Sequence, residues 1–216
     1  MAGVSRRTVL LSAGAGAGAV ALAGGAYWLG QQNSPANTAS SAAGQAGKEP
    51  TIMRSSGGKL AVDLVAEHTH TSVAGTSAHL MTYNGTSPGP TLMAKPGDIV
   101  TVNFTNKLGE PTNLHTHGLH VSPAGHSDNV FVEVKNGETF TYEYVLDADH
   151  PVGTYWYHPH HHGMAADQVF GGLYGALIVE QPTPIPVNAE RVLVISDLTL
   201  DKNGTVATAN HMSKMM

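Results

Sequence analysis

The sequence predicts an all-β protein, an antiparallel β-sandwich. Three observations carry this. Short runs alternate apolar and polar residues with a period of two, those runs are enriched in β-branched and aromatic side chains, and turn-forming pairs separate them at regular spacing. A period of two is what a strand with one buried face requires, because successive side chains leave opposite faces of the pleat. No long segment with helical periodicity interrupts the series.

The first run is KLAVDLVAE at 59–67, followed by HLMTYNG at 79–85, which closes on the turn pair Asn84-Gly85. TLMAKPGDIVTVNFTN at 91–106 enters after Gly89-Pro90 and is broken by Pro96-Gly97. Proline at that place removes a ladder donor and fixes φ, so the run reads as strand, turn, strand. TFTYEYVLD at 139–147 follows Asn136-Gly137, and GTYWYH at 153–158 and GALIVEQ at 175–181 complete the set. A single short helix is expected in GMAADQVFGG, residues 163–172.

At 216 residues the chain is long enough for one well-cored domain with extensions. A formal charge of −5, with no basic cluster interleaved with aromatics, argues against nucleic acid as a partner. Thirteen histidines outnumber the eleven lysines and arginines, and cysteine is absent. That balance points to metal binding by imidazole and excludes a disulfide framework, a zinc knuckle or a thiolate site within this sequence.

Arg6 and Arg7 precede a weakly apolar Ala/Gly/Val/Leu run reaching Leu29, so residues 1–30 are expected to be a twin-arginine export signal. The protein is then expected in the periplasm, the cell envelope or the extracellular space, at a membrane only if the segment is retained as an anchor. That route carries folded proteins, which suits a cargo that acquires its metal before export. Residues 31–49, rich in Ala, Ser, Asn, Gln and Gly without periodicity, read as a flexible linker.

The chemistry sits in NLHTHGLHVSP and YWYHPHHHG. His115 and His117 are spaced i, i+2, so on a strand both imidazoles leave one face about 6.6 Å apart at their bases. His158 and His160 repeat the spacing, with Pro159 between them. Two such pairs from different strands, facing each other, make half of a metal cage walled by Tyr and Trp rings. His68 and His70 in EHTH share the spacing but lack the following glycine and aromatic context, so no metal role is expected of them. Alternation turns His161 away from the ligand face, and His162 is expected behind it. Trp156 and Tyr157 read as packing residues of the ligand-bearing strand. A single-metal cupin site would need a carboxylate a few residues after His117, where Val121 and Ser122 stand.

From about Ala61 to Glu180, the stretches YNGTSPGPTLMAKPGDIVTVNFTNKLGEPTNLHTHGLH and GTYWYHPHHHGMAADQVFGGLYGALIVE resemble the first cupredoxin domain of the multicopper oxidases, the laccase and metallo-oxidase superfamily. The resemblance implies a plastocyanin-like, cupredoxin-type Greek-key β-sandwich over residues 50–181. It implies His115 as a ligand of type 2 copper, and His117, His158 and His160 as ligands of the type 3 pair. It implies Asp128 as the catalytic carboxylate that assists protonation of bound oxygen. The partners implied are O2 and an electron-donating small molecule or metal ion; phenols, Cu(I), Fe(II) and Mn(II) remain open.

The family also uses a His-Cys-His strand and four further cluster ligands from a later domain, and this sequence contains neither. The segment ERVLVISDLTLDKNGTV within residues 182–216 resembles the opening of a second cupredoxin domain, so the chain is expected to break off early in that domain and to need the remaining domains for turnover. The alternative reading is an exported copper-binding module with no turnover of its own. Met212, Met215 and Met216 read as a terminal tail.

Overall fold

A computed structural model describes residues 50–73 and 75–207. The export segment and linker expected over 1–49, and the Met-containing tail, lie outside the described residues. In chain order the elements are β1 (Ile52–Arg54), β2 (Lys59–Val73), β3 (Thr76–Tyr83), β4 (Thr91–Ala94), β5 (Ile99–Lys107), β6 (His115–His117), β7 (Thr139–Val145), β8 (Gly153–His158), α1 (Ala165–Gly171) and β9 (Gly175–Val179). They build two sheets, one ordered β1-β4-β9-β8-β6 and the other β3-β2-β5-β7.

Every alternating run becomes a strand, and the helix forms within its expected segment. The run at 91–106 divides at its proline-glycine turn, where the Asp98 carboxylate accepts the Lys95 backbone N–H at 2.7 Å. The purely antiparallel expectation needs correcting: β1/β4, β4/β9 and β2/β5 pair in parallel. The physical reason is this turn, which sends the chain from one sheet to the other. Strands adjacent in sequence, β2/β3 and β8/β9 excepted, then fall in different layers, and the other neighbours within a layer are reached by crossovers, the Greek-key arrangement. The pairs β2/β3, β5/β7, β6/β8 and β8/β9 are antiparallel.

The core lies between the layers. Leu60, Val62, Leu64 and Ala66 of β2 point inward at every second position, as do Val100, Val102 and Phe104 of β5 and Tyr142 and Tyr144 of β7. Burying a side chain of this size stabilises the fold by about 1.5–3 kcal/mol. From the other sheet come Leu92, Leu177, Val179 and Tyr157. Tyr157 is fully buried and its hydroxyl donates to the Pro90 carbonyl at 2.6 Å. Its ring fills the space over Gly175, where a Cβ would overlap it, so this position of β9 excludes a side chain.

No helix or strand forms between residues 181 and 199. Beyond them Leu200 bridges Val206, and Thr205 bridges His79 at the edge of β3.

Candidate metal centre

Strands β6 and β8 pair so that His115 faces His158, Thr116 faces Tyr157 and His117 faces Trp156. Because strand side chains alternate, Thr116 and Tyr157 enter the core while the three histidines and Trp156 share the outer face. Trp156 therefore belongs to the site. Its ring stacks on His158 with centroids 3.9 Å apart and on His117 at 5.1 Å. Gly118, at φ +81°, takes the chain out of β6 in a conformation that side chains disfavour, directly after the second histidine.

The ligand atoms of His115, His117 and His158 all lie within 4.8 Å of one another. His117 Nδ1 is 3.3 Å from His158 Nε2. His160, just past β8, brings its ring centroid to 5.1 Å from that of His115 and 6.2 Å from that of His158. The structure thus gathers all four expected histidines, three in a tight group and His160 beside it. His161 lies beyond the end of β8 and outside the group, and its Nε2 meets the Glu133 carboxylate at 3.1 Å. His162 is exposed.

Backbone and carboxylate partners fix the tautomers. The His158 Nδ1–H donates to the Pro159 carbonyl at 2.8 Å, which leaves Nε2 facing His117. Burial, then the neighbouring His115, His117 and His160, push the His158 pKa down to about 4 against the opposing pull of that hydrogen bond, so it is neutral at physiological pH. Neutral imidazole is the ligating form. Asp128 lies behind His115, with Oδ1 and Oδ2 at 3.0 and 2.9 Å from Nδ1. Oδ1 also accepts the Thr116 backbone N–H at 2.9 Å, so one carboxylate orients both the strand and the ring.

Three buried residues that the sequence reading did not single out hold this frame. Asn113 accepts the His160 backbone N–H at 2.7 Å and donates to the Val130 and Val132 carbonyls, tying both histidine motifs to the intervening loop. Tyr142 accepts the Leu114 backbone N–H at 3.1 Å. Its burial pushes the phenol pKa up to about 12, so the hydroxyl stays protonated. Gln168 of α1 accepts from Thr112 at 2.8 Å and donates to Pro111 O at 2.9 Å, anchoring the approach to β6. Nothing local marks these positions, because their partners lie tens of residues away in sequence.

Two imidazoles sharing one tetrahedral ion at metal–nitrogen distances of about 2.0–2.1 Å would hold their nitrogens about 3.3 Å apart. The His117–His158 separation matches, and a donor set made of imidazole suits copper. A family model described as multicopper oxidase matches residues 65–184. The chain belongs to the multicopper oxidase family. Members of this family bind copper and are oxidoreductases that use O2 as acceptor. This multicopper oxidase chain is 35% identical over 147 residues to copper resistance protein A of Escherichia coli, an alignment covering 65% of the chain and 23% of that relative. It is 39% identical over 140 residues to L-ascorbate oxidase of Nicotiana tabacum, covering 61% and 23%. Among solved structures, the multicopper oxidase of Pseudomonas thermotolerans superposes with a TM-score of 0.60 at 32% identity, covering 68% of this chain and 36% of that one. The metallo-oxidase of Campylobacter jejuni superposes with 0.55 at 30% identity, covering 63% and 31%. The cupredoxin-type sandwich expected from sequence is thereby shown. The chain spans about a quarter of the length of the curated relatives it matches. Among the described residues of the oxidase chain, no helix is long and apolar enough to cross a membrane.

Proposed function

We propose that this chain is the copper-binding N-terminal domain of a multicopper oxidase and supplies half of its trinuclear site. The observation that carries the proposal is the pairing of His117 Nδ1 with His158 Nε2 at 3.3 Å on a face that His115 and His160 also border. In this reading His117 and His158 share one type 3 ion, His160 contributes to the other, and His115 presents Nε2 to the type 2 ion. Copper, when bound, supplies the one-electron redox capacity that couples substrate oxidation to O2 reduction.

The protein's own part is to orient and to keep protons in place. Asp128 holds the His115 Nδ1 proton and thereby keeps Nε2 free for the metal. It is the carboxylate in contact with a cage imidazole among the described residues, which supports the proton-handling role expected for it. Trp156 covers one flank of the His117/His158 pair and limits water there. His117 and His160 are exposed, so the other flank opens outward, as half of a cage completed by another domain would. Residues 50–181 form the cupredoxin domain in this proposal, and residues 182–216 are a linker and the incomplete start of a second one. Export by the twin-arginine route, with Arg6 and Arg7 as its signal, is part of the same proposal.

A second reading is a copper-binding module without turnover of its own. The absence of cysteine from the 216 residues favours it for the isolated chain, since no Cu-thiolate site for electron entry is available. Oxygen-electrode measurements on copper-loaded protein separate the two. We expect no O2 consumption from the chain alone and restored consumption when the remaining cupredoxin domains of a multicopper oxidase are supplied in trans. Failure of the supplemented mixture to bind copper more tightly than the chain alone contradicts the half-cage assignment.

A further inference from the structure

A second group of histidines lies on the other sheet. Strand β2 runs past the core into an exposed hairpin with β3, and the register sets His70 directly opposite His79 and His68 opposite Met81. All of these positions share one face, because residues two apart on a strand, and residues paired across it, point the same way. The ring centroids of His70 and His79 are 4.6 Å apart and those of His68 and His79 are 5.1 Å apart. Two imidazoles bound side by side to one ion, at about 90–110° and metal–nitrogen distances of about 2.0–2.1 Å, place their centroids roughly 4.5–5 Å apart. The rings of His68 and His79 stand at 15° to each other, so loading an ion requires the His79 ring to turn about its side-chain bonds while His68 stays in place. His79 is only half-buried and faces the exposed His70, so it has room to do so.

We propose that His68, His70 and His79 form a further metal site, separate from the β6/β8 cage, which takes a single divalent copper ion on the β2–β3 hairpin. Two features support it. His68 Nε2 lies 3.1 Å from the Leu108 carbonyl, so its N–H is committed there and Nδ1 is left as the ligand atom, the backbone-carbonyl support usual for metal-bound histidine. The backbone on the far side of β3 is also fixed, the His79 N–H donating to the Gly204 carbonyl at 2.9 Å. The choice of copper follows from the affinity order of divalent metals for nitrogen sites, in which Cu(II) stands highest. The local spacing of His68 and His70 alone gave no reason to expect this; His79 supplies it from the paired strand.

The test is nuclear magnetic resonance of the 15N-labelled full chain with substoichiometric Cu(II), whose unpaired electron broadens nearby signals. Amide signals of Thr69–Thr71 and Ala78–Leu80 are expected to broaden, and His70→Ala and His79→Ala are each expected to abolish that broadening and to weaken binding at this site at least tenfold in chelator competition. His70 is exposed, so its substitution leaves the fold intact even if that of His79 does not. Sharp hairpin signals at one equivalent of copper, or broadening that persists in both variants, overturns the proposal. Signals near Thr116 and Tyr157 report the cage independently, so either site can fail without the other.

Discussion

His117 Nδ1 and His158 Nε2 face each other at 3.3 Å, from adjacent antiparallel strands, with the remaining nitrogen of His158 tied to its own following carbonyl. That separation is the one two imidazoles adopt around a single ion. The strands that create it are held from behind by groups with no part in ligation, and each of those groups gives a measurable expectation.

Asp128→Asn keeps the size of the side chain but removes the charge that fixes the His115 tautomer. Loss of such a support costs about 10- to 100-fold in metal affinity. Copper affinity of the variant, measured by competition with a chelator, is expected to fall within that range while the circular dichroism spectrum is unchanged. Affinity equal to that of the unaltered chain contradicts the positioning role of Asp128.

Stability of the copper-free protein should rise with pH through the acidic range. His158 titrates near 4 in the fold, against an ordinary value of 6.5. Between those values the unfolded chain binds a proton at this position and the folded chain does not, so stability is lost as pH falls from about 6.5 to about 4 and is constant above. Urea unfolding across this range, compared with His158→Gln, isolates the contribution; the slope should flatten in the variant.

Gly175→Ala places a methyl group in the volume of the Tyr157 ring. Overpacking of this kind typically costs about 1–3 kcal/mol. Urea denaturation should show a loss of that size, and because Tyr157 pairs with Thr116 on β6, copper affinity should fall with it.

Copper-loaded protein should remain free of an intense visible charge-transfer band, because that band needs a Cu-thiolate bond and the sequence contains no cysteine. A strong blue colour in the purified protein would contradict this.

Much of this was legible in the sequence, for a physical reason. The i, i+2 spacing of His115/His117 encodes a shared face through the strand period alone, and the alternation in KLAVDLVAE encodes which side is buried. Trp156 reads from the sequence as a packing residue of the ligand-bearing strand whose ring walls the cage; it stands two residues before His158, and the same parity puts it on the ligand face, stacked on His158 and His117. Tyr157, one residue on, is the packing residue of the pair. Asn113, Tyr142 and Gln168 were not legible, since their hydrogen bonds join segments that only the folded chain brings together. The parallel pairings escaped for the same reason, because alternation reports a strand's face but not its neighbour.

The central claim is that β6 and β8 present one copper-binding unit, and a copper titration of four proteins tests it most directly. These are His70→Ala/His79→Ala, used as the background so that the hairpin does not contribute, and the same background with His117→Ala, with His160→Ala, and with both. Each added substitution should lower copper affinity at least tenfold, and the pair should cost less than the sum of the two, as expected of ligands acting together. Unchanged affinity in the protein carrying both His117→Ala and His160→Ala would show that the metal is held elsewhere.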